Sequence, residues 1–228
     1  MNTNDIREYL LSNSPWVDPN HTVDHVLAGD AQKQVRKVGV GWFPAIGNLV
    51  AAHEQGCDLY ISHEPLFWDH WATGKYKAVE PALAKQRFLD KTGMVVLRAH
   101  DNWDNWPEIG IRDSWAKGLG LTNFIAEDVT RWHGVYQIKE TTLKEFAKYV
   151  ASKINVLGED SVRVLGDPQM KVSRPSVGVG CGVPPGLCQA HEVAPRRPER
   201  TVGALCRAGE VVDVAAAGAG RARFPLVA

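Results

Sequence analysis

Between Val35 and Leu121, short apolar runs alternate with stretches whose apolar residues recur every three or four positions. Val35–Phe43 alternates as a strand, and Pro44 is placed to open a helix to Gln55, with Gly56 as the residue just past its end. Leu59–Ile61 reads as a buried strand that discharges into His63-Glu64-Pro65, where the proline halts regular structure. A helix near Val79–Asp90, ending toward Gly93, leads to a second apolar strand, Met94–Leu97, whose polar exit is His100-Asp101-Asn102-Trp103-Asp104. Ile109–Lys117 then reads as a helix closed by Gly118 or Gly120. Ahead of these elements, Asn4 is placed to cap a helix carrying Ile6, Tyr9, Leu10 and Leu11, and Ser14–Asp30 reads as loop because of Pro15, Pro19 and Gly29. Strand and helix in strict alternation predict an α/β fold with a mainly parallel sheet and helices on both faces.

The rhythm restarts at Arg131. Trp132–Ile138 reads as a strand, Thr142 and Glu145 form a capping box for a helix to Ile154, and Val162–Leu165 and Val177–Val179 read as further strands. We expect a first α/β lobe over residues 1–128, a partial second lobe over 129–180 and an irregular tail over 181–228. Lysine outnumbers arginine twelve to seven up to Lys171 but is absent afterwards, where Phe224 is the only aromatic. That switch, with Pro184-Pro185 and Ala215-Ala216-Ala217, predicts a tail that is either flexible or translated from a shifted reading frame beginning near Cys181.

Charge and composition narrow the function. The 26 basic residues balance 26 acidic ones, so there is no basic stripe to hold nucleic acid. No apolar run reaches the roughly 18–20 residues of a membrane span, and the first residues lack the basic and apolar regions of a secretory leader. Four cysteines form no CxxC pair, so neither a zinc ribbon nor a disulfide framework is indicated. The expectation is a cytoplasmic protein without a membrane partner.

In an open α/β sheet, ligands bind beyond the carboxyl ends of the parallel strands. His63 and Glu64 leave one such end, and His100 and Asp104 leave another. Neighbouring strands lie about 4.8 Å apart, close enough for these side chains to converge on one ion or two. Imidazole with carboxylate suits zinc, manganese or iron. Paired ions about 3.5–4 Å apart acidify water and clamp the oxygens of a displacement. His100 equally suits a proton-transfer role, and Asp101 reads as a turn residue bonding its own backbone. Trp68, Trp71, Trp103 and Trp106 flank both motifs and are read as core packing. His21 and His25 lack the glutamate of HExxH, since Thr22 occupies its place, and are read as surface residues. His53 and His133 have no clustered companions and are read as structural.

Three segments carry a family resemblance: Ile61-Ser62-His63-Glu64-Pro65-Leu66-Phe67, His100–Asp104 followed by Pro107-Glu108-Ile109-Gly110, and Gly118-Leu119-Gly120-Leu121. With the lead-in Val35–Gly56, they resemble the Nif-three-like dinuclear metal-centre family, often labelled GTP cyclohydrolase I type 2 homologues. The resemblance spans residues 15–125 and implies a two-lobed α/β architecture that assembles as a homo-oligomer, a toroidal hexamer. It also implies His63 and Asp104 as metal ligands, with Glu64 replacing the second histidine of the family's pair and His100 lining the site. Glu64 as an anion favours harder ions such as manganese or magnesium over zinc. The family holds two ions per chain; its carboxy-terminal His and Glu find no match here, since His191-Glu192 has the wrong spacing, so one or two ions are expected. The function implied is a metal-dependent hydrolase acting on a small molecule or phosphoester, with His100 shuttling protons. The alternatives are a non-catalytic metal-binding regulator and a defective family member.

Overall fold

The computed structural model describes residues 1–127, 133–159, 161–162, 164 and 166–178. The expected tail and its reading-frame question lie outside the described residues. The chain divides into two compact units, Met1–Trp103 and a second that begins at Asp104.

The first unit is a three-layer sandwich. Its sheet runs in the order β1 (Val26–Ala28), β4 (Val95–Arg98), β3 (Leu59–Ser62), β2 (Val38–Gly41). The β2, β3 and β4 strands are parallel and in register, with Leu59 beside Val95 and Ser62 beside Arg98. Both faces are covered, so β3 and β4 read as continuous apolar runs. Tyr60 and Val96 turn to one face, where Leu49 and Ala52 of α2 (Ile46–Glu54) and Ala82 and Leu89 of α3 (Glu80–Thr92) meet them. Leu59, Val95 and Leu97 turn to the other, against Ile6 and Leu10 of α1 (Thr3–Ser12). These alternating contacts follow from the two-residue period of a strand.

Local chemistry accounts for the ends. The cap of α1 is Asn2 rather than the expected Asn4: its side chain accepts from the Asp5 amide at 2.8 Å while the Asp5 carboxylate accepts from the Asn2 amide at 2.7 Å. Gly56 follows the last turn of α2 with φ +77°, and Gly93 closes α3 with φ +61°, the left-handed geometry that glycine adopts without strain.

One expectation needs correction. The sheet is mixed, because β1 pairs antiparallel with β4. This strand falls inside the segment read as loop, and three residues are too few to display a period. Gly29 (φ +85°) lets the chain turn against β4, where a Cβ would stand 2.9 Å from the Val95 Cα.

The second unit opens with the last residue of a short helix, α4 (Asp101–Asp104), and continues through α5 (Ile111–Gly118), β5 (Phe124–Glu127), β6 (His133–Tyr136), β7 (Thr141–Thr142), α6 (Leu143–Ile154), β8 (Lys171–Val172) and β9 (Ser176–Gly178). Its two sheets, β5-β6-β9 and β7-β8, are antiparallel throughout. Thr142 caps α6 by accepting from the Glu145 amide. Ala116 and Leu119 at the end of α5 share a core with Tyr136, Leu143, Val150 and Val177, which groups α5 with this unit rather than with a lobe ending at residue 128. Val162 and Val164 pack beside that core without joining a strand.

Candidate metal centre

His63 emerges from the carboxyl end of β3 and His100 from that of β4, the neighbouring parallel strand. Asp104 closes α4, one helical turn past His100. The three offer one donor atom each within 4.8 Å of one another, and all three are buried. Two imidazoles and a carboxylate gathered out of water form a donor set suited to zinc, manganese or iron.

The β4 exit is anchored by residues from the segment read as loop. The Asp24 carboxylate accepts three backbone amides at the start of α4: His100 at 2.5 Å and Asp101 at 3.1 Å on Oδ1, and Asn102 at 2.8 Å on Oδ2. Asp101 reciprocates across the chain, accepting the Thr22 hydroxyl at 2.7 Å and the Val23 amide at 3.1 Å. Its partners here are the Thr22 hydroxyl and the Val23 amide, rather than its own backbone as expected of a turn residue. Burial pushes the Asp24 carboxyl above its ordinary pKa, against the amides that hold it down. Burial also works upward on Asp101, but donation from His100, Thr22 and the Val23 amide outweighs it and holds that carboxyl below its usual range. Being ionised, Asp101 Oδ1 accepts from His100 Nδ1 at 2.9 Å, which makes Nε2 the nitrogen that His100 could offer to a metal.

On the β3 exit, the amides of His63 and Glu64 both donate to the Trp42 carbonyl, at 3.1 and 2.8 Å. The His63 ring lies stacked between the Trp42 indole, 4.0 Å away, and the His100 ring, 4.3 Å away. Burial above all, with the Arg98 guanidinium beside it, pushes His63 down to about 2, so its imidazole is neutral and able to donate a lone pair. The fully buried Arg98, at the end of β4, donates through Nε to the His63 carbonyl at 2.9 Å and through Nη1 to the His70 carbonyl at 2.6 Å. His70 meets His100 edge-on with centroids 5.2 Å apart.

Of the residues read from sequence, His63, His100 and Asp104 come together, whereas Glu64 is half-buried and outside the group of converging donors. Trp68, Trp71 and Trp103 are exposed rather than core, and Trp106 is half-buried. His21 and His25 are exposed, and His53 packs edge-on to Phe88. Sequence reasoning missed Asp24, Thr22, Trp42, His70 and Arg98. Their hydrogen-bonded partners at the two strand exits lie 21 to 79 residues away, so no local spacing announces them. Among the described residues, no helix is long and apolar enough to cross a membrane.

An α/β unit that gathers two imidazoles and a carboxylate beyond the ends of adjacent parallel strands makes this chain a candidate metal-centre protein. Residues 1–189 match the family model for Duf34/NIF3, NGG1p interacting factor 3, and the chain belongs to that family. Solved structures with the same fold include protein SA1388 of Staphylococcus aureus, at 20% identity and TM-score 0.63 over 80% of this chain and 74% of that one. A Bacillus cereus protein related to NIF3 aligns at 15% identity and TM-score 0.60, covering 79% of this chain and 76% of its own. Reduced HcgD from Methanocaldococcus jannaschii aligns at 19% and 0.59, covering 81% and 71%. No curated protein sequence matches the chain.

Proposed function

We propose that this chain binds a divalent metal ion through His63, His100 and Asp104 and uses it to hydrolyse a small molecule or phosphoester in the cytoplasm. The observation that carries the reading is the convergence of those three buried donors within 4.8 Å, at the carboxyl ends of parallel strands. A bound divalent ion supplies Lewis acidity and brings the pKa of water toward neutrality. The chain's own residues supply the rest. Asp101 sets the His100 tautomer, Asp24 fixes the helix that ends in Asp104, and burial keeps His63 neutral. Asp104 contributes the charge that offsets part of the cation's, and Glu64, adjacent to His63 in sequence, is the candidate for a further carboxylate when a second ion binds. Carried over from the family resemblance, a homo-oligomer is the expected assembly.

Elemental analysis of gel-filtered protein tests this first. Wild type is expected to hold at least one divalent ion per chain, and Asp104→Ala to lose it while keeping its circular dichroism. Phosphoester hydrolysis with manganese should vanish in His63→Ala. Metal retained without hydrolysis would favour the non-catalytic regulator, and a metal-free wild type would end the proposal.

A further inference from the structure

Six rings run in contact from the buried strand ends to the surface: Trp42 on His63, His63 on His100, His100 against His70, His70 against Trp71, and Trp71 against His21. His70 is the first exposed member after the converging donors. Its ring stands nearly perpendicular to that of His100, at 84°, and Arg98 holds it by two contacts. The guanidinium donates to the His70 carbonyl from Nη1 and approaches the His70 Nδ1 at 3.3 Å with Nη2. A guanidinium has five N–H donors and no acceptor, so Nδ1 must be the accepting nitrogen. The hydrogen of the neutral ring therefore resides on Nε2. A ring in that tautomer is a poor ligand through Nε2 but a good donor from it.

We propose that His70 is a substrate-positioning residue, an Nε2–H donor set at the rim of the metal centre to bind an oxyanion of the ligand. The inference rests on the metal reading above: one carboxylate and two neutral imidazoles leave a divalent cation with residual positive charge, which favours an anionic ligand. A donor to a charged oxygen confers specificity for phosphate or carboxylate over a neutral group. His70 is thus distinct from the three residues that would hold the ion, although it touches one of them.

Two measurements test this. Nitrogen-15 correlation spectra of the metal-free protein report the His70 tautomer directly; the Nε2–H form is expected at neutral pH, and the Nδ1–H form would overturn the proposal. Calorimetric titration of inorganic phosphate, and separately acetate, into manganese-loaded protein gives the second. His70→Ala should weaken one or both anions about tenfold with manganese content unchanged. His70→Gln, which retains an N–H donor, should recover most of the loss. A response to phosphate alone identifies a phosphate-bearing ligand, and one to acetate alone a carboxylate. Unchanged anion affinity in His70→Ala overturns the proposal while leaving the metal reading intact. Manganese loss in His70→Ala equal to that in Asp104→Ala would make His70 a ligand and overturn it too. A wild type that takes up no manganese overturns both readings together.

Discussion

His100 leaves β4 directly into four residues of helix, whereas His63 leaves β3 into a segment with no helix or strand before Glu80. The two exits are held by opposite charges. Carboxylates hold the first, with Asp24 accepting the amides of His100, Asp101 and Asn102, and Asp101 accepting from Thr22 and Val23. Cations hold the second. Arg98 donates to the carbonyls of His63 and His70, and Lys85 donates to that of Leu66 at 2.6 Å with its ammonium over the rings of Phe43 and Trp68. The division follows from the backbone: a helix start presents unpaired N–H groups, while an irregular strap presents unpaired carbonyls. One exit has its anchors at a helix terminus. The other is strung between long side chains, and two of its residues, Trp68 and Ala72, sit at positive φ.

The largest effect should come from cutting the carboxylate side. Asp24→Ala strands three buried amides and loosens α4, which bears Asp104 at its end. We expect a loss of about 2–4 kcal/mol in urea unfolding and roughly tenfold weaker metal binding. A loss below about 1 kcal/mol would show that α4 does not depend on its anchor.

The cation side can be separated by pH. Burial pushes the Lys85 ammonium down to about 8, from a usual value near 10.5. Below pH 8 the folded and unfolded chains both hold the proton, so Lys85 adds no slope. Between about 8 and 10.5 the unfolded chain holds it while the folded chain does not, so stability rises with pH. Lys85→Met should flatten that rise, read as urea midpoints from pH 7.5 to 10.5, and leave the Asp24 effect untouched. An identical slope in the variant would mean that Lys85 keeps its ordinary pKa in the folded chain.

The same contrast explains what was legible in the sequence. The apolar runs Leu59–Ile61 and Met94–Leu97 are read without a structure because burial on both faces removes polar residues from them. The polar residues directly after each run then mark the site, so His63, His100 and Asp104 could be named. Their supports could not. Asp24 acts on amides 76 to 78 residues away, and nothing around Thr22-Val23-Asp24 distinguishes it from a surface carboxylate. Arg98 completes an apolar strand and would be expected to turn outward, yet it is 1% exposed because backbone carbonyls of the β3 exit receive it. The antiparallel pairing of β1 was hidden for another reason: Val26–Ala28 is too short to display a period, and its partner β4 lies some seventy residues further along the chain.

The smallest predicted effect probes the strap itself. Ala72 is exposed and holds φ +54°, with its amide donating to the Asp69 carbonyl at 3.0 Å. An L-residue in the left-handed region carries about 1–2 kcal/mol of strain, whereas glycine there loses about 0.5–1 kcal/mol of extra backbone entropy on folding. Ala72→Gly should therefore raise stability by about 0.5 kcal/mol, read from the urea midpoint, with metal content unchanged. No residue from Arg98 to Asn105 has positive φ, so the helical exit offers no comparable gain. A destabilised Ala72→Gly would mean that the alanine methyl makes a contact worth more than the strain, and that the strap is as firmly built as the helix opposite it.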